Sequence, residues 1–296
     1  VAYWLLFMLS LCTGNFDQPG GNIYSRGFYP AAKAGRIRGD IHYEDTVFGQ
    51  VRRIRGSLPG NLLSDMIEAE DNPIKGLVVV SGNPMLSMGT GSRLEKAFKK
   101  LEFMMVIDIY PSATSEYADY VLPATDMFER ADINICGLGM QKEPFIQYTS
   151  FVVPPSAERK PEWWILRHIE QAQGFDTDNA DLDDYQSAID NMGLFNRFDH
   201  MLRQSGLDIE TIKASGTVVL PPVQSGRFYE NIIQTETGRI DCCPESFDEA
   251  RRHCATIFAD LQSEDGNQLK IISRRTNYMI NSWFHNLSSL KRPRHL

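Results

Sequence analysis

Two stretches of this 296-residue sequence concentrate side chains that could hold a ligand. The first starts with the apolar run 74–81 (IKGLVVVS) and passes through the loop 82–91 (GNPMLSMGTG). A helix opened by the capping-box sequence Ser92-Arg93-Leu94-Glu95 follows, and then a second apolar run, 103–110 (FMMVIDIY), which carries Asp108. A strand–loop–helix–strand unit of this kind turns loop amides and the positive helix end toward an anion. An acidic residue closing its second strand accepts hydrogen bonds from ribose hydroxyls or base N–H groups, and Asp108 stands 26 positions after Gly82. Ten loop residues exceed the tight Gly-x-Gly-x-x-Gly turn, of which Gly89-Thr90-Gly91 is only a fragment. The residues alone therefore leave open a nucleotide cradle or a plain α/β packing unit. The second stretch, 274–286 (RRTNYMINSWFHN), gathers Arg274, Arg275, Asn277, Asn281, Ser282, Trp283, His285 and Asn286. Guanidiniums suit phosphates, amides suit the edge of a heterocycle and an indole suits a ring face. Its competing reading is an exposed polar loop anchored by one tryptophan.

Other chemistries find less support. The sequence contains no Gly-x-Ser-x-Gly elbow, no His-Glu-x-x-His and no P-loop. Glu116 with Asp119, and Asp126 with Glu129, have the spacing of acid–base pairs, but Asp126 and Glu129 are expected to cap or to pair with Arg130. Cys242, Cys243, His253 and Cys254 offer donor atoms for a metal, yet adjacent cysteines splay poorly around a tetrahedral ion and no Cys-x-x-Cys pair occurs. With Cys12 and Cys136 isolated, all five cysteines read as buried or incidental thiols of a reducing compartment, so no metal site is expected in this stretch. His168 falls on an apolar helix face and is expected to be satisfied within the core. Asp178, Asp181, Asp183 and Asp184 lack the glycine and terminal glutamate of a calcium loop and read as a solvated linker or helix start.

The elements that must position these groups are legible from pattern. The composition is that of an ordinary soluble globular chain, with 42% hydrophobic and 23% charged residues. The length suggests about two domains at ~150 residues each. Thirty basic against thirty-eight acidic side chains leave a net charge of −8, and the small basic cluster Lys291, Arg292, Arg294 and His295 makes no basic face, so a nucleic-acid partner is not expected. The apolar opening 1–12 is shorter than the ~20 residues a membrane helix needs. It also lacks the basic n-region of a signal peptide. With no initiator methionine and no capping signal before KRPRHL, the chain is expected to be an internal piece of a longer polypeptide.

The pattern predicts an opening helix stopped at Gly14-Asn15, a surface loop over 33–55, and a helical spacing at Leu62, Leu63, Met66 and Ile67. Strands are predicted at 74–81, 103–110 and 120–122, with extended chain at 146–153 and a helix opened by Pro161 and stopped by Gly174. Residues 185–214 read as helical, and 228–235, 239–241 and 269–273 as strands. The fold class is therefore α/β: a parallel sheet with flanking helices over 1–174, a helical connection over 175–215, and the start of a β-rich, barrel-like domain over 216–296.

Four segments, LLFMLSLCTGNFDQPGGN, KGLVVVSGNPMLS, FMMVIDIYPSATSEYADYVLPATDMFER and RRTNYMINSWFHNL, occur in an order that resembles molybdopterin-dependent oxidoreductases of the dimethyl sulfoxide reductase and formate dehydrogenase type. The resemblance runs from about residue 5 to the end and is most specific at 118–125 (ADYVLPAT). It implies an enzyme holding molybdenum or tungsten through two molybdopterin guanine dinucleotides, performing two-electron redox chemistry on a small-molecule substrate, with an electron-transfer subunit or domain as partner. It implies that Asp108 accepts from guanine N–H groups, that Ser112 or Thr114 contacts the same nucleotide, and that Gly82, Asn83 and Pro84 approach its phosphates. Arg274, Arg275, Asn281, Ser282 and His285 would belong to the barrel wall closing over the pterins. The family's iron–sulfur cysteines and its metal-ligating residue lie upstream of the matched segments, so this stretch would be inactive alone and would supply no catalytic or metal-ligating residue. A cytoplasmic location is expected, with a periplasmic one open. Two alternatives stand beside this reading: a non-catalytic subunit keeping the fold without the metal, and an unrelated nucleotide-binding transferase.

Overall fold

The computed structural model describes residues 2–25, 28, 43–53, 57–88, 91–134, 140–175, 202–203, 206–233, 235–270, 272, 284 and 287–290. In chain order the regular elements are α1 (Ala2–Cys12), β1 (Tyr43–Thr46), β2 (Gly49–Arg52), α2 (Leu63–Ile67), β3 (Gly76–Val80), α3 (Pro84–Ser87), α4 (Gly91–Phe98), β4 (Phe103–Asp108) and β5 (Tyr120–Pro123). Then come β6 (Asp132–Ile133), β7 (Phe145–Thr149), α5 (Glu162–Ala172), α6 (Ile209–Ser215), β8 (Thr217–Val219), α7 (Phe228–Asn231) and α8 (Asp248–Ser263). The chain divides into two compact units, one of Val1–Ile37, Ile133–Thr149 and Met192–Ser273, the other of Arg38–Asp132, Ser150–Asn191 and Arg274–Leu296.

The second unit carries the parallel sheet β3-β4-β5, with Val80 opposite Ile107, Ile107 opposite Leu122 and Asp108 opposite Pro123. Helices α2 and α4 cover one face, while α5 covers part of the other and leaves Val78, Val80 and Val121 exposed. Val79, Met104 and Val106 meet Ile67 of α2 and Leu94, Ala97 and Phe98 of α4 in one core, in which Leu94, Ala97 and Val106 have no exposed surface. Burying a leucine side chain to that degree contributes about 2 kcal/mol. On the opposite face Ile107 and Ala124 pack with Ile165 of α5, joined by Leu122, Trp164 and Ile169. At the N-terminal edge the backbone oxygen of Lys75 accepts from the amides of Glu102 (2.8 Å) and Phe103 (3.2 Å), which sets the register before β4 begins. Arg93 pairs with Asp65 and Glu68, and Lys100 with Glu68, so ion pairs tie α4 to α2. His168 in α5 is satisfied as expected: its Nδ1 lies 3.0 Å from the Trp164 oxygen, and the two rings lie 3.6 Å apart. Gly174 ends that helix with φ of +78°, a conformation that costs glycine little.

The first unit is built differently. Its sheet has the order β6-β7-β8, with β7 and β8 antiparallel and Phe145 opposite Val219. The rings of Phe16, Tyr24 and Phe228 cluster with centroids 4.8–5.0 Å apart. Buried Asp17 accepts from the amide of Phe228 at 2.7 Å, across 211 residues of sequence.

Several expectations are corrected. Residues 43–52, expected as loop, form the β1-β2 hairpin, closed by Thr46, whose hydroxyl donates to the Gly49 oxygen and accepts from the Phe48 amide. Helix α4 begins at Gly91, one residue before the expected Ser92 cap, and the loop before it contains the short helix α3. The stretch 228–235, expected as a strand, opens with helix α7, because the Asp17 carboxylate and the aromatic cluster hold Phe228 in a turn. Residues 239–241 form no strand, and the 16-residue helix α8 was not anticipated. The strand expected over 269–273 falls partly outside the described residues, and Leu269, Lys270 and Ile272 have no regular structure. Cys12, Cys242, Cys243 and Cys254 are all exposed, so they are incidental rather than buried thiols; Cys136 and the acidic run 176–184 lie outside the described residues. Among the described residues no helix is long and apolar enough to cross a membrane.

Candidate functional site

Parallel strands deliver their following loops to one edge, and in open α/β sheets ligands bind outside the carboxyl ends of the strands. Here that edge collects the turns after β3, β4 and β5. Ser81 leaves β3 with φ of +52°, a left-handed conformation that costs a non-glycine residue about 1 kcal/mol or more. Its amide donates to the Ile107 oxygen at 2.9 Å, so the turn departs directly beside the end of β4, where Asp108 stands. Gly82 and Asn83 are half-buried and Pro84 is buried. Pro84 opens α3, where its missing N–H is no loss, and the amides of Leu86 and Ser87 donate back to the Asn83 oxygen. A Cβ added at Gly82 would meet Val79 Cγ1 at 3.5 Å, Val80 O at 3.7 Å and Pro84 Cδ at 3.9 Å. Those are ordinary contacts, so packing within the chain does not require glycine there.

Asp108 is half-buried, and its Oδ1 accepts from the Ile109 amide at 2.7 Å. Burial pushes its carboxyl above the usual carboxylate range; bonds from the Ile109 and Tyr110 amides pull it back, and the negative charge of Glu162 pushes it up again. Among the described residues no lysine, arginine or histidine forms an ion pair with it. A carboxylate has about four acceptor positions, so Asp108 keeps capacity for donors that the chain does not supply. Glu162, in the first turn of α5, accepts from the Ser81 hydroxyl (3.3 Å) and from Arg130 Nη1 (2.9 Å). Arg130 Nε and the Thr125 hydroxyl are buried without hydrogen-bond partners.

The loop after β4 is held by reciprocal serine bonds. The Ser112 amide donates to Ser115 Oγ (2.8 Å), Ser115 Oγ donates to the Ser112 oxygen (2.8 Å), and the Ser115 amide donates to Ser112 Oγ (3.3 Å). Ser112 is half-buried and its own hydroxyl proton is still available. Thr114 is fully buried. Its hydroxyl donates to Asn83 Oδ1 (2.8 Å) and accepts from the Met85 amide (3.2 Å), joining the turn after β3 to the loop after β4.

Gly82, Asn83, Pro84, Asp108, Ser112 and Thr114 thus come together on one edge of one sheet, whereas Arg274, Arg275, Asn281, Ser282 and His285 lie outside the described residues. Sequence reasoning missed Ser81, Glu162 and Arg130. An acid just after a helix-opening proline was the available signal for Glu162. Of the two roles expected for Asp126 and Glu129, local capping is the one found: Asp126 Oδ1 accepts from the Phe128 amide at 2.8 Å, and buried Glu129 accepts from the amides of Asp126 and Ser156 and pairs with Arg159 at 2.7 Å, while Arg130 turns to Glu162. Asp119 Oδ2 accepts from the Met104 amide at 2.7 Å. Among the described residues no cluster of three His, Cys, Asp or Glu side chains could hold a metal ion.

The chain is 28% identical over 161 residues to the probable oxidoreductase YyaE of Bacillus subtilis, covering 54% of this chain and 22% of that protein. It is 24% identical over 266 residues to a nitrate reductase of Synechocystis, covering 80% of this chain and 36% of the relative. The chain therefore spans between a fifth and two fifths of the length of these relatives. Among solved structures, acetylene hydratase from Pelobacter acetylenicus superposes with a TM-score of 0.46 at 20% identity, covering 64% of this chain and 24% of that one. The family model for molybdopterin oxidoreductases matches residues 1–172, more than half of the sequence, and the chain belongs to that family.

Proposed function

We propose that this chain is the cofactor-cradling portion of a molybdenum or tungsten oxidoreductase, and that the edge around Asp108 holds the guanine end of a molybdopterin guanine dinucleotide. One observation carries the reading: Asp108 is a desolvated carboxylate with a like charge nearby and no cationic partner among the described residues. Such a group is stabilised by neutral N–H donors, and guanine presents N1–H and N2–H side by side, matching the two oxygens of one carboxylate. The neighbouring turn fits the rest of the nucleotide. Gly82 presents bare backbone at the strand end, Asn83 and Ser112 have donors to give, and no acidic side chain belongs to the turn itself. Arg274, Arg275, Asn281, Ser282 and His285 are assigned to the wall that closes over the pterins. The bound metal–pterin supplies two-electron redox chemistry toward a small substrate, and the chain's own part is to place and electrostatically tune it. The metal ligand, any iron–sulfur cluster and an electron-transfer partner are assigned to protein beyond these residues, in a cytoplasmic setting.

The test is Asp108→Ala in protein matured with the cofactor machinery, with released pterin measured by fluorescence and metal by elemental analysis. Loss of two charge-assisted hydrogen bonds predicts about a hundredfold weaker retention with the fold intact. Unchanged loading would overturn the assignment, and wild-type protein with neither pterin nor metal would favour a non-catalytic role.

A further inference from the structure

The geometry points to Thr114 as a positioning residue: its hydroxyl fixes the Asn83 amide so that both Nδ2–H bonds are left for the phosphates of the nucleotide proposed above. The inference rests on the nucleotide reading above and adds to it a residue that acts without touching the ligand. Its basis is hydrogen-bond accounting at a buried hydroxyl. Thr114 has no exposed surface, so its oxygen and its proton both need partners inside the protein. The oxygen is taken by the Met85 amide, which donates to it at 3.2 Å. The proton must therefore find an acceptor, and Asn83 Oδ1 lies 2.8 Å away. An Nδ2 group in that place would leave the threonine proton buried and unmet, which costs about 1–3 kcal/mol, so the amide has one allowed orientation. Asn83 Nδ2 then carries two donors, and among the described residues nothing accepts them. Because the same hydroxyl also pins the first turn of α3 through Met85, amide orientation and loop position are set by one group. The guanine-facing carboxylate, Asp108, stands at the end of the neighbouring strand and takes no part in this arrangement.

Two probes separate the two ends of the site: GDP, which has both base and phosphates, and guanosine, which has the base alone. Titrating each into the wild-type chain should show GDP bound more tightly. Thr114→Val, which keeps the shape and removes the hydroxyl, should weaken GDP about tenfold and leave guanosine unchanged. Thr114→Ser should restore GDP binding. Asn83→Asp keeps an acceptor for Thr114 but replaces the donors with negative charge, so it should weaken GDP by more than tenfold without affecting guanosine or the thermal midpoint. It also covers the case in which Thr114→Val fails to fold. Wild-type GDP affinity in either Thr114→Val or Asn83→Asp overturns the inference, as does an equal loss for both probes. Equal wild-type affinity for GDP and guanosine overturns it while sparing the guanine cradle; binding of neither removes both.

Discussion

At the N-terminal ends of β3 and β4, Lys75 and Glu102 form an ion pair at 2.8 Å, with both side chains largely in water. Six residues further along β4, at its C-terminal end, Asp108 has lost much of its water, has no cation, and lies within reach of the charge of Glu162. The same two strands thus end in an ion pair on one side and, on the other, a carboxylate met by backbone amides but by no cation among the described residues. Keeping a costly charge where backbone turns converge marks the edge at which something from outside is expected.

That contrast can be broken experimentally, starting where the effect is largest. Asp108→Asn should lower guanine-nucleotide retention about a hundredfold while raising the thermal midpoint of the unliganded chain slightly, on the order of 1 °C, because a desolvated charge has gone. A lower midpoint would mean that the carboxylate serves the fold instead. Gly82→Ala should leave the melting curve unchanged, since its Cβ meets nothing closer than 3.5 Å, and should cut retention about tenfold if phosphates pack against that backbone. Acidity sharpens the comparison further. The folded-state pKa of Asp108 is raised, so its contribution to the stability of the empty chain is complete below the ordinary carboxylate range and is lost as pH rises through the raised value. Ligand affinity should climb through that same window, because only the ionised form accepts both guanine donors. Melting curves across that range, with and without GDP, should diverge as pH increases; parallel curves would contradict the role given to Asp108. Smallest of all, Glu102→Gln should change neither retention nor midpoint measurably, as expected for an exposed pair.

How much of this was legible depends on whether the cause was local. β3, β4, β5 and α5 follow from apolar runs and a proline-opened amphipathic stretch, and the structure has them where the pattern placed them. Asp108 was legible too, because strand-end acids have a position relative to a preceding turn. The short helix α3 was not: PMLS carries no periodicity, and the Thr114 hydroxyl that holds its first turn comes from 29 residues away. Residues 228–231 misled for the opposite reason. Their aromatic texture favours strand, but a carboxylate 211 positions earlier captures the Phe228 amide and the rings pack as a cluster. Helix α8 had a readable signal in its acidic first turn, Asp248 and Glu249, which the nearby cysteines overshadowed. The pairing of Glu162 with Arg130 spans 32 residues and has no local signature.

Glu162 gives the arrangement a remote dial. Rooted in α5, it touches Ser81 on one side and Arg130 on the other, and its field reaches Asp108. On the proposed reading, a residue that never meets the purine therefore retunes how firmly Asp108 grips it. Neutralising it would make Asp108 a stronger acid and, in the same stroke, leave Arg130 only its longer, 4.0 Å pairing with Asp132. On that reading the hold is adjustable at Glu162 without altering a single atom of the contact itself.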